Sequence, residues 1–452
     1  MGFTPENTDI AVIGAGVGGY VAAIRAAECG KSVVLIEKEK LGGHCLNYAC
    51  IPSKTLIKIS DIYYKAQHSE KFGIHTNSIS VDPKEMLSWR LSVSSKLENG
   101  VKFLCDSHGV ETIHATATFV GEHTLQLTDG TSIEFKKAII ATGSDPTVLN
   151  GFEFNGSILD YKKALMLDFI PKSMAIIGAG YVAVEIGTLY VKLGTNVSII
   201  ARSDVLSHFD RDAVSVIKKK MNALGIKIYT ASTPRSYEAG KLTLSDGSVI
   251  DAEIVVVAVG LKPYTQDLGL ENAHVQLDER GFVKVDSALR TSNPDILAVG
   301  DVIGEPMLAH KAIRQGVIAG EVASGLNSVY DNVVVPAVIF SDPVIAIAGD
   351  IAEKEGISVK KFPLTALGRS IALGTTDGFV KIAYDSSNSV KGIEIVSDEA
   401  DSMISEAALA IEMGASVEDI ADTIHPHPTY SEAVQEAAEA ALDRPIHFFY
   451  GK

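Results

Sequence analysis

Cysteine is scarce in this chain, four in 452 residues. So low a count excludes a disulfide-stapled extracellular scaffold and fits a reducing compartment, where any bridge serves chemistry rather than stability. Positive charge is also in short supply: forty Lys and Arg face fifty-six Asp and Glu, for a net charge of −16, and no basic cluster relieves the deficit. A nucleic-acid backbone and an anionic membrane surface are therefore poor partners. Although 46% of the residues are hydrophobic, no stretch reaches the roughly 20 residues that a spanning helix needs. The opening Met1-Gly2-Phe3-Thr4-Pro5-Glu6 lacks a charged region followed by an apolar run, so a cytoplasmic protein is expected. No second Cys or His pair at ligand spacing accompanies the single close cysteine pair, and no metal site is expected. What remains is ample apolar material for a large core spread over about three domains.

The most organised pattern occurs twice. Residues 8–13 read as a short apolar strand, Gly14-Ala15-Gly16-Val17-Gly18-Gly19 turns into an Ala-rich helix, and residues 32–36 form a second strand ending at Glu37. Gly14 permits a tight turn, Gly16 lets backbone approach a pyrophosphate at the helix N-terminus, and Gly19 allows close helix–strand packing. Glu37, twenty-three residues after Gly14, is placed to accept a hydrogen bond from a ribose 2′-hydroxyl. The second copy runs from a strand at 174–177 through Gly178-Ala179-Gly180-Tyr181-Val182-Ala183 to a strand at 197–201. Two nucleotide folds imply two nucleotides, and a redox use for both suggests a flavin and a nicotinamide. Counting twenty-three residues from Gly178 reaches Ala201, with Arg202 next. A carboxylate there would repel a 2′-phosphate, whereas a guanidinium pairs with one bidentately, so the second copy leans towards NADP(H). Asp204 stands by as an alternative ribose acceptor.

Between the two copies lies Gly42-Gly43-His44-Cys45-Leu46-Asn47-Tyr48-Ala49-Cys50-Ile51-Pro52-Ser53-Lys54. Bridged cysteines need Cα atoms about 4.4 to 6.8 Å apart, while five residues of regular helix rise ~7.5 Å, so a bridge here requires a tighter or bent step. The enclosed loop is too short to stabilise much. Redox exchange is the better reason for the pair, with unrelated buried thiols or half a metal site as the other readings.

Helical periodicity marks 53–66 and 83–108, strand-like pieces fall at 124–127 and 138–141, and the latter runs into Thr142-Gly143. A helix is expected over 214–224 and a small β segment over 242–259, closing at Gly260-Leu261-Lys262-Pro263. A strand then ends in Gly300-Asp301, followed by Leu308-Ala309-His310-Lys311-Ala312. Beyond residue 334 come strands at 337–340, 344–348, 379–384 and 390–396, then helices at 402–413, 416–422 and 432–442. In His425-Pro426-His427-Pro428-Thr429-Tyr430-Ser431-Glu432 two prolines forbid helix, so both imidazoles sit on a rigid loop. Thr429 and Glu432 also read as a capping box for the last helix.

The Cys45…Cys50 spacing followed by Ile51-Pro52-Ser53-Lys54 resembles the redox-active motif of the FAD-dependent pyridine nucleotide-disulfide oxidoreductases, and its tail is similar to that of the dihydrolipoamide dehydrogenase branch. The resemblance covers essentially the whole chain. It implies an α/β fold of two Rossmann-like dinucleotide-binding domains, for FAD and NAD(P), plus a C-terminal α+β dimerisation domain. The implied segments are 1–146 and 271–333 for FAD, 147–270 for NAD(P) and 334–452 for dimerisation. Cys45 and Cys50 become the redox disulfide, His427 the base and Glu432 its orienting carboxylate, with His425 structural. Flavin and coenzyme contacts fall to Gly14, Gly16, Gly19, Glu37, Lys54, Gly143, Gly178, Gly180, Glu185, Arg202, Gly260, Asp301 and Ala309. A homodimer with active sites shared between subunits, acting on dihydrolipoamide or the lipoyl domain of an acyltransferase complex, completes the implied picture. The rivals are an NADPH-dependent disulfide or metal-ion reductase of the mercuric reductase kind, which needs a terminal cysteine pair where this chain ends Phe448-Phe449-Tyr450-Gly451-Lys452, and a non-catalytic flavin-binding redox sensor.

Overall fold

The computed structural model describes residues 7–449; the opening and closing residues read above, 1–6 and 450–452, lie outside them. The chain forms two compact units. The first contains residues up to Ile170 and the return segment Val259–Asp331, the second Pro171–Ala258 and the residues from Asn332 on.

The first unit opens with β1 (Asn7–Ile13), α1 (Val17–Glu28) and β2 (Val33–Glu37), then α2 (Gly43–Asn47), α3 (Cys50–Gln67) and α4 (Pro83–Ser107). Asp82 caps α4, its carboxylate accepting from the N–H groups of Lys84 and Glu85, and Pro83 takes the first helical position, where its missing N–H costs nothing. Strands β3 (Glu111–His114), β4 (Ala117–Gly121), β5 (Thr124–Leu127), β6 (Ser132–Ile140) and β7 (Ser144–Pro146) follow, then the two-residue β8 (Ile158–Leu159) and α5 (Tyr161–Ala164).

In the second unit come β9 (Ser173–Ile177), α6 (Tyr181–Lys192), β10 (Asn196–Ile200), α7 (Arg211–Ala223), β11 (Lys227–Tyr229), the meander β12 (Pro234–Glu238), β13 (Lys241–Leu244), β14 (Val249–Asp251), and β15 (Ile254–Val257). The chain re-enters the first unit through β16 (Leu261–Pro263), β17 (Ile296–Ala298) and α8 (Ala309–Ala323). It finishes in the second with β18 (Ala337–Ile339), β19 (Val344–Gly349), β20 (Ile357–Pro363), α9 (Gly368–Leu373), β21 (Phe379–Asp385), β22 (Val390–Ser397), α10 (Ala400–Glu412), α11 (Val417–Ala421) and α12 (Glu432–Ala441).

The first unit's sheet runs β3-β2-β1-β6-β5-β4, with β17 added on β6. Strands β1, β2, β3, β6 and β17 are parallel and β4 and β5 antiparallel. The long β6 shows both environments: its first half alternates exposed and buried beside β5, and its second half, among parallel strands, is buried without alternation. Only that second half looks like a strand by apolar content. Helix α8 lies against α1 through glycine. A Cβ on Gly316 would stand 2.4 Å from the Gly18 carbonyl oxygen, and one on Gly320 2.7 Å from that of Ala22.

Residues 147–170 and 259–270, grouped in sequence with the second nucleotide domain, cluster with the first unit. The physical tie is short: β16 pairs antiparallel with β7, and the Thr147 N–H donates to the Gly260 carbonyl at 3.0 Å.

In the second unit β11-β10-β9-β15 run parallel, and Gly187 of α6 lets the helix settle on Ile199. The antiparallel sheet β18-β19-β22-β21-β20 turns one face to α10 and α12, where Val380, Ile382, Ile393 and Ile395 meet Met403, Ile404 and Ala437. Strand β20, with Lys360 and Lys361, was not expected from sequence, because charged residues hide its alternation.

Candidate active site

The first Gly-rich turn is shaped by contacts that only glycine permits. Gly14 has φ +96°, and a Cβ on Gly19 would lie 1.9 Å from the Gly14 carbonyl oxygen. Gly16 is the N-cap of α1 with no side-chain cap, and a Cβ there would meet open space. The N–H groups of the first turn thus face a cradle that neither a cap nor a Cβ closes, the donor set a pyrophosphate requires, so the residues fit a dinucleotide such as FAD. Glu37 closes the turn: its Oε2 accepts from the Ala15 N–H at 2.7 Å and its Oε1 from the Glu39 N–H at 2.8 Å. Each oxygen keeps a lone pair for a ribose hydroxyl.

The cysteine segment is bent, as a short bridge demands. Cys45 lies in α2 and Cys50 opens α3, with a break at Tyr48 and Ala49 between the two helices. Helix α3 starts three residues before the expected Ser53, which puts Pro52 in the first turn, where proline is tolerated. Neither cysteine is in a disulfide, and the same holds for half-buried Cys29 and buried Cys105. A hydrogen bond with Cys50, then burial, then the charge of Cys50 push the Cys45 thiol far up, opposed by Lys54 one turn along α3. The reduced pair therefore holds on to one proton between two sulfurs.

Helix α4 fastens this segment. Buried Arg90 donates to the Asn47 carbonyl, Ser94 to the Leu46 carbonyl at 3.2 Å, and Asn47 itself to the Leu41 carbonyl at 2.9 Å. On the other side the Lys162 ammonium of α5 donates to Nε2 of His44 at 2.9 Å. Burial and that ammonium pull His44 down to about 4, so the imidazole beside Cys45 is a neutral acceptor. Apart from the local Asn47–Leu41 bond, none of these anchors had a signal in sequence, since each partner is tens of residues away.

Asp301 follows β17 in a one-turn 3-10 helix and accepts from Ser144 Oγ at 2.7 Å. Burial raises its carboxyl, with Ser144 and Lys311 pulling the other way. Gln315 holds the turn by accepting from the Gly300 N–H at 3.0 Å. Gly143 and Gly260 both sit at positive φ, +73° and +123°, and Ala309 begins α8 with no side-chain cap at Leu308.

The second fingerprint repeats the first in outline. Gly178 has φ +124°, and Gly180 is the extended N-cap of α6, again without a side-chain cap. Gly14 N–H donates to the Ile36 carbonyl and Gly178 N–H to that of Ile200, so Ala201 stands where Glu37 stands. Arg202 and Ser203 are exposed on the following loop. Asp204 is engaged by Lys218, at 2.8 and 2.9 Å, which holds its carboxyl below the usual range. Glu185, on the same helix, accepts from the Phe340 N–H at 3.1 Å.

His427 and Glu432 meet as expected. Nδ1 of His427 lies 2.8 Å from Glu432 Oε1, and Glu432 Oε2 accepts from the Thr429 N–H at 2.7 Å. Burial would raise Glu432, but the Thr429 N–H and His427 outweigh it and hold the carboxylate low. The anionic partner fixes the proton on Nδ1 and leaves Nε2 free to act as base. The capping box forms by half, because Thr429 Oγ1 bonds the Pro426 carbonyl and Ser431, not the helix. His425 is buried in a different pair, with Nε2 2.8 Å from Glu406 and Nδ1 2.9 Å from the Thr423 carbonyl. Among the described residues no group of His, Cys, Asp and Glu could hold a metal, and no helix is long and apolar enough to cross a membrane.

Two uncapped Gly-rich turns at helix N-termini and a bent dithiol segment define a two-nucleotide disulfide redox protein. Known proteins agree. Residues 8–316 match the pyridine nucleotide-disulphide oxidoreductase family and residues 335–438 its dimerisation domain. The chain belongs to this family. It is 43% identical to the dihydrolipoyl dehydrogenase of Geobacillus stearothermophilus, over 98% of this chain and 97% of that one, and 41% identical to that of Bacillus subtilis, over 99% of each. Among solved structures LpdA of Mycobacterium tuberculosis superposes with a TM-score of 0.89 at 26% identity, covering 96% of this chain and 99% of that one.

Proposed function

We propose that this flavoprotein disulfide oxidoreductase oxidises dihydrolipoamide, free or on the lipoyl domain of an acyltransferase complex, and passes the electrons to a nicotinamide coenzyme. The observation that carries the reading is the Cys45–Cys50 contact across the bend between α2 and α3. Identity above 40% to dihydrolipoyl dehydrogenases over nearly the full chain supports the substrate.

The cycle starts with Cys45 and Cys50 bridged. His427 Nε2 takes a proton from one substrate thiol, and the thiolate attacks Cys45 Sγ, forming a mixed disulfide and releasing Cys50 as a thiolate. The second substrate thiol, also deprotonated, attacks the mixed disulfide. The cyclic substrate disulfide leaves, Cys45 takes a proton, and the chain keeps the electron pair. Bound FAD supplies the two-electron relay from this reduced pair to the nicotinamide. Gly14, Gly16, Gly19, Glu37, Gly143, Asp301 and Ala309 would hold the flavin, with Lys54 and Glu185 beside its reactive end. Gly178, Gly180, Arg202 and Gly260 would hold the coenzyme. His427 is 77% exposed at its side chain, in keeping with a base that serves the cysteines of a second copy in a cytoplasmic homodimer.

The absence of a carboxylate at Ala201, the neighbouring Arg202 and the engagement of Asp204 by Lys218 favour NADP+ over NAD+. Initial rates with dihydrolipoamide and each coenzyme, repeated on Arg202→Glu, test both points. The variant is expected to shift the coenzyme ratio towards NAD+ by about tenfold or more, the loss of one charge-assisted phosphate contact. An unchanged ratio rejects the coenzyme assignment, and no turnover with either coenzyme rejects the substrate.

A further inference from the structure

Glu394, in the middle of β22, is a buried carboxyl outside the redox machinery. It is 0% exposed, neither of its oxygens accepts a hydrogen bond, and the group in hydrogen-bond reach is another acceptor, the Asp210 carboxylate. It sits in a cross-strand row on the sheet face opposite α10 and α12, in register with Lys381 of β21, which is itself in register with Lys361 of β20. On its other flank Ile347 of β19 brings no charge.

Helix α7 of the nucleotide-binding half meets this row end-on. Asp210, its N-cap, accepts from the N–H groups of Asp212 and Ala213 and also from the Lys381 ammonium at 2.6 Å. Asp212 pairs with Lys381 at 3.0 Å and with Lys361 at 2.8 Å. The other charges of this contact are satisfied among themselves: Lys220 of α7 and Lys192 of α6 share Asp342, at 3.5 and 2.7 Å, and Lys219 faces Asp377 at 3.9 Å. Two ammonium groups thus balance two aspartates, and an ionised Glu394 would add an uncompensated anion at the buried end of the row.

The row has a functional address. Asp210 follows the loop 201–209 that carries Arg202, and the middle of that loop is tied to the second Gly-rich turn, the Leu206 N–H donating to the Ala179 carbonyl at 2.9 Å. We propose that Glu394 carries a proton in the working enzyme, and that this neutral acid, with Lys361 and Lys381, positions Asp210 and through it the coenzyme loop, so that ionising Glu394 weakens coenzyme binding. Burial and then the Asp210 carboxylate push Glu394 up to about 8, against Lys381, so the transition falls within reach of ordinary assays. The inference rests on the assignment of 201–209 to the coenzyme.

The test uses the holoenzyme between pH 7 and 9.5. Infrared difference spectra should show a protonated-carboxyl band that vanishes as pH rises and is missing from Glu394→Gln, a readout independent of any coenzyme. In parallel, the coenzyme KM should rise about fivefold or more in the wild type and stay nearly flat in Glu394→Gln, a coupling of ordinary allosteric size, while the dithiol KM follows one profile in both. Asp210→Asn, which removes the charge pressing on Glu394, should move the loss of the band to lower pH. Absence at pH 7 of a band that Glu394→Gln removes overturns the proton, a band that persists to pH 9.5 overturns the ionisation, and coenzyme KM profiles that coincide in wild type and Glu394→Gln overturn the positioning role. Failure of the coenzyme assignment is separate, being read from Arg202→Glu.

Discussion

His425 and His427 are two residues apart and do opposite things, because their surroundings differ. His427 has one ring nitrogen on Glu432 and the other facing outwards, with 77% of its side chain exposed. His425, 4% exposed, has one nitrogen on the Thr423 carbonyl and the other on Glu406. A carbonyl can only accept, and so can an ionised carboxylate, so both nitrogens must carry hydrogen and the ring is an imidazolium. The Glu406 carboxylate raises its pKa accordingly, against burial. Since the folded value lies above the unfolded one, this pair stabilises the chain below the unfolded pKa of about 6.5, and the contribution fades as pH climbs through the folded value. Glu406→Gln is therefore expected to lower Tm at pH 6 more than at pH 9, as measured by thermal unfolding across that range. An equal loss at both ends would remove the charge from the account.

At the scale of elements, close glycine contacts do what side-chain chemistry cannot. Gly14, Gly16 and Gly19 were legible as a triplet because their spacing serves one turn. Gly316 and Gly320 were not, because they lie on α8, about three hundred residues from the α1 backbone that they meet. Gly316→Val should force the helices apart or α8 out of line, costing about 1–3 kcal/mol as overpacking does and weakening flavin retention, since α1 presents the first Gly-rich turn. Thermal unfolding and the flavin-to-protein ratio after dialysis check it; a variant with wild-type values for both would show that the contact relaxes freely. The helix α2, a single turn holding Cys45, was likewise missed in sequence. Nothing in Gly43–Asn47 has helical periodicity, and its order comes from Arg90 and Ser94 on α4.

For the whole molecule the question is where one active site ends. Family membership supplies a dimerisation domain at 335–438, and an exposed His427 suits a base working on a second copy. If it does, a chain with Cys50→Ser and a chain with His427→Gln, each inactive alone, should recover about a quarter of wild-type turnover after mixing and subunit exchange, because half of the dimers are then mixed and each has one intact site. Absence of recovery, with exchange verified by mass spectrometry, would place the whole site in one chain. Local order in the sequence determined a great deal here: two nucleotide folds and the close cysteine pair follow from residues within reach of one another along the backbone, while the roles of His427 and Glu432 and the return of the chain after an insertion came from the family resemblance. Tertiary structure alone decided the rest. Which carboxyls ionise, which thiol keeps its proton and how Glu394 comes to face Asp210 depend on groups far apart in sequence, and their energies are set by burial and Coulomb interactions that exist only once the chain has excluded water between them.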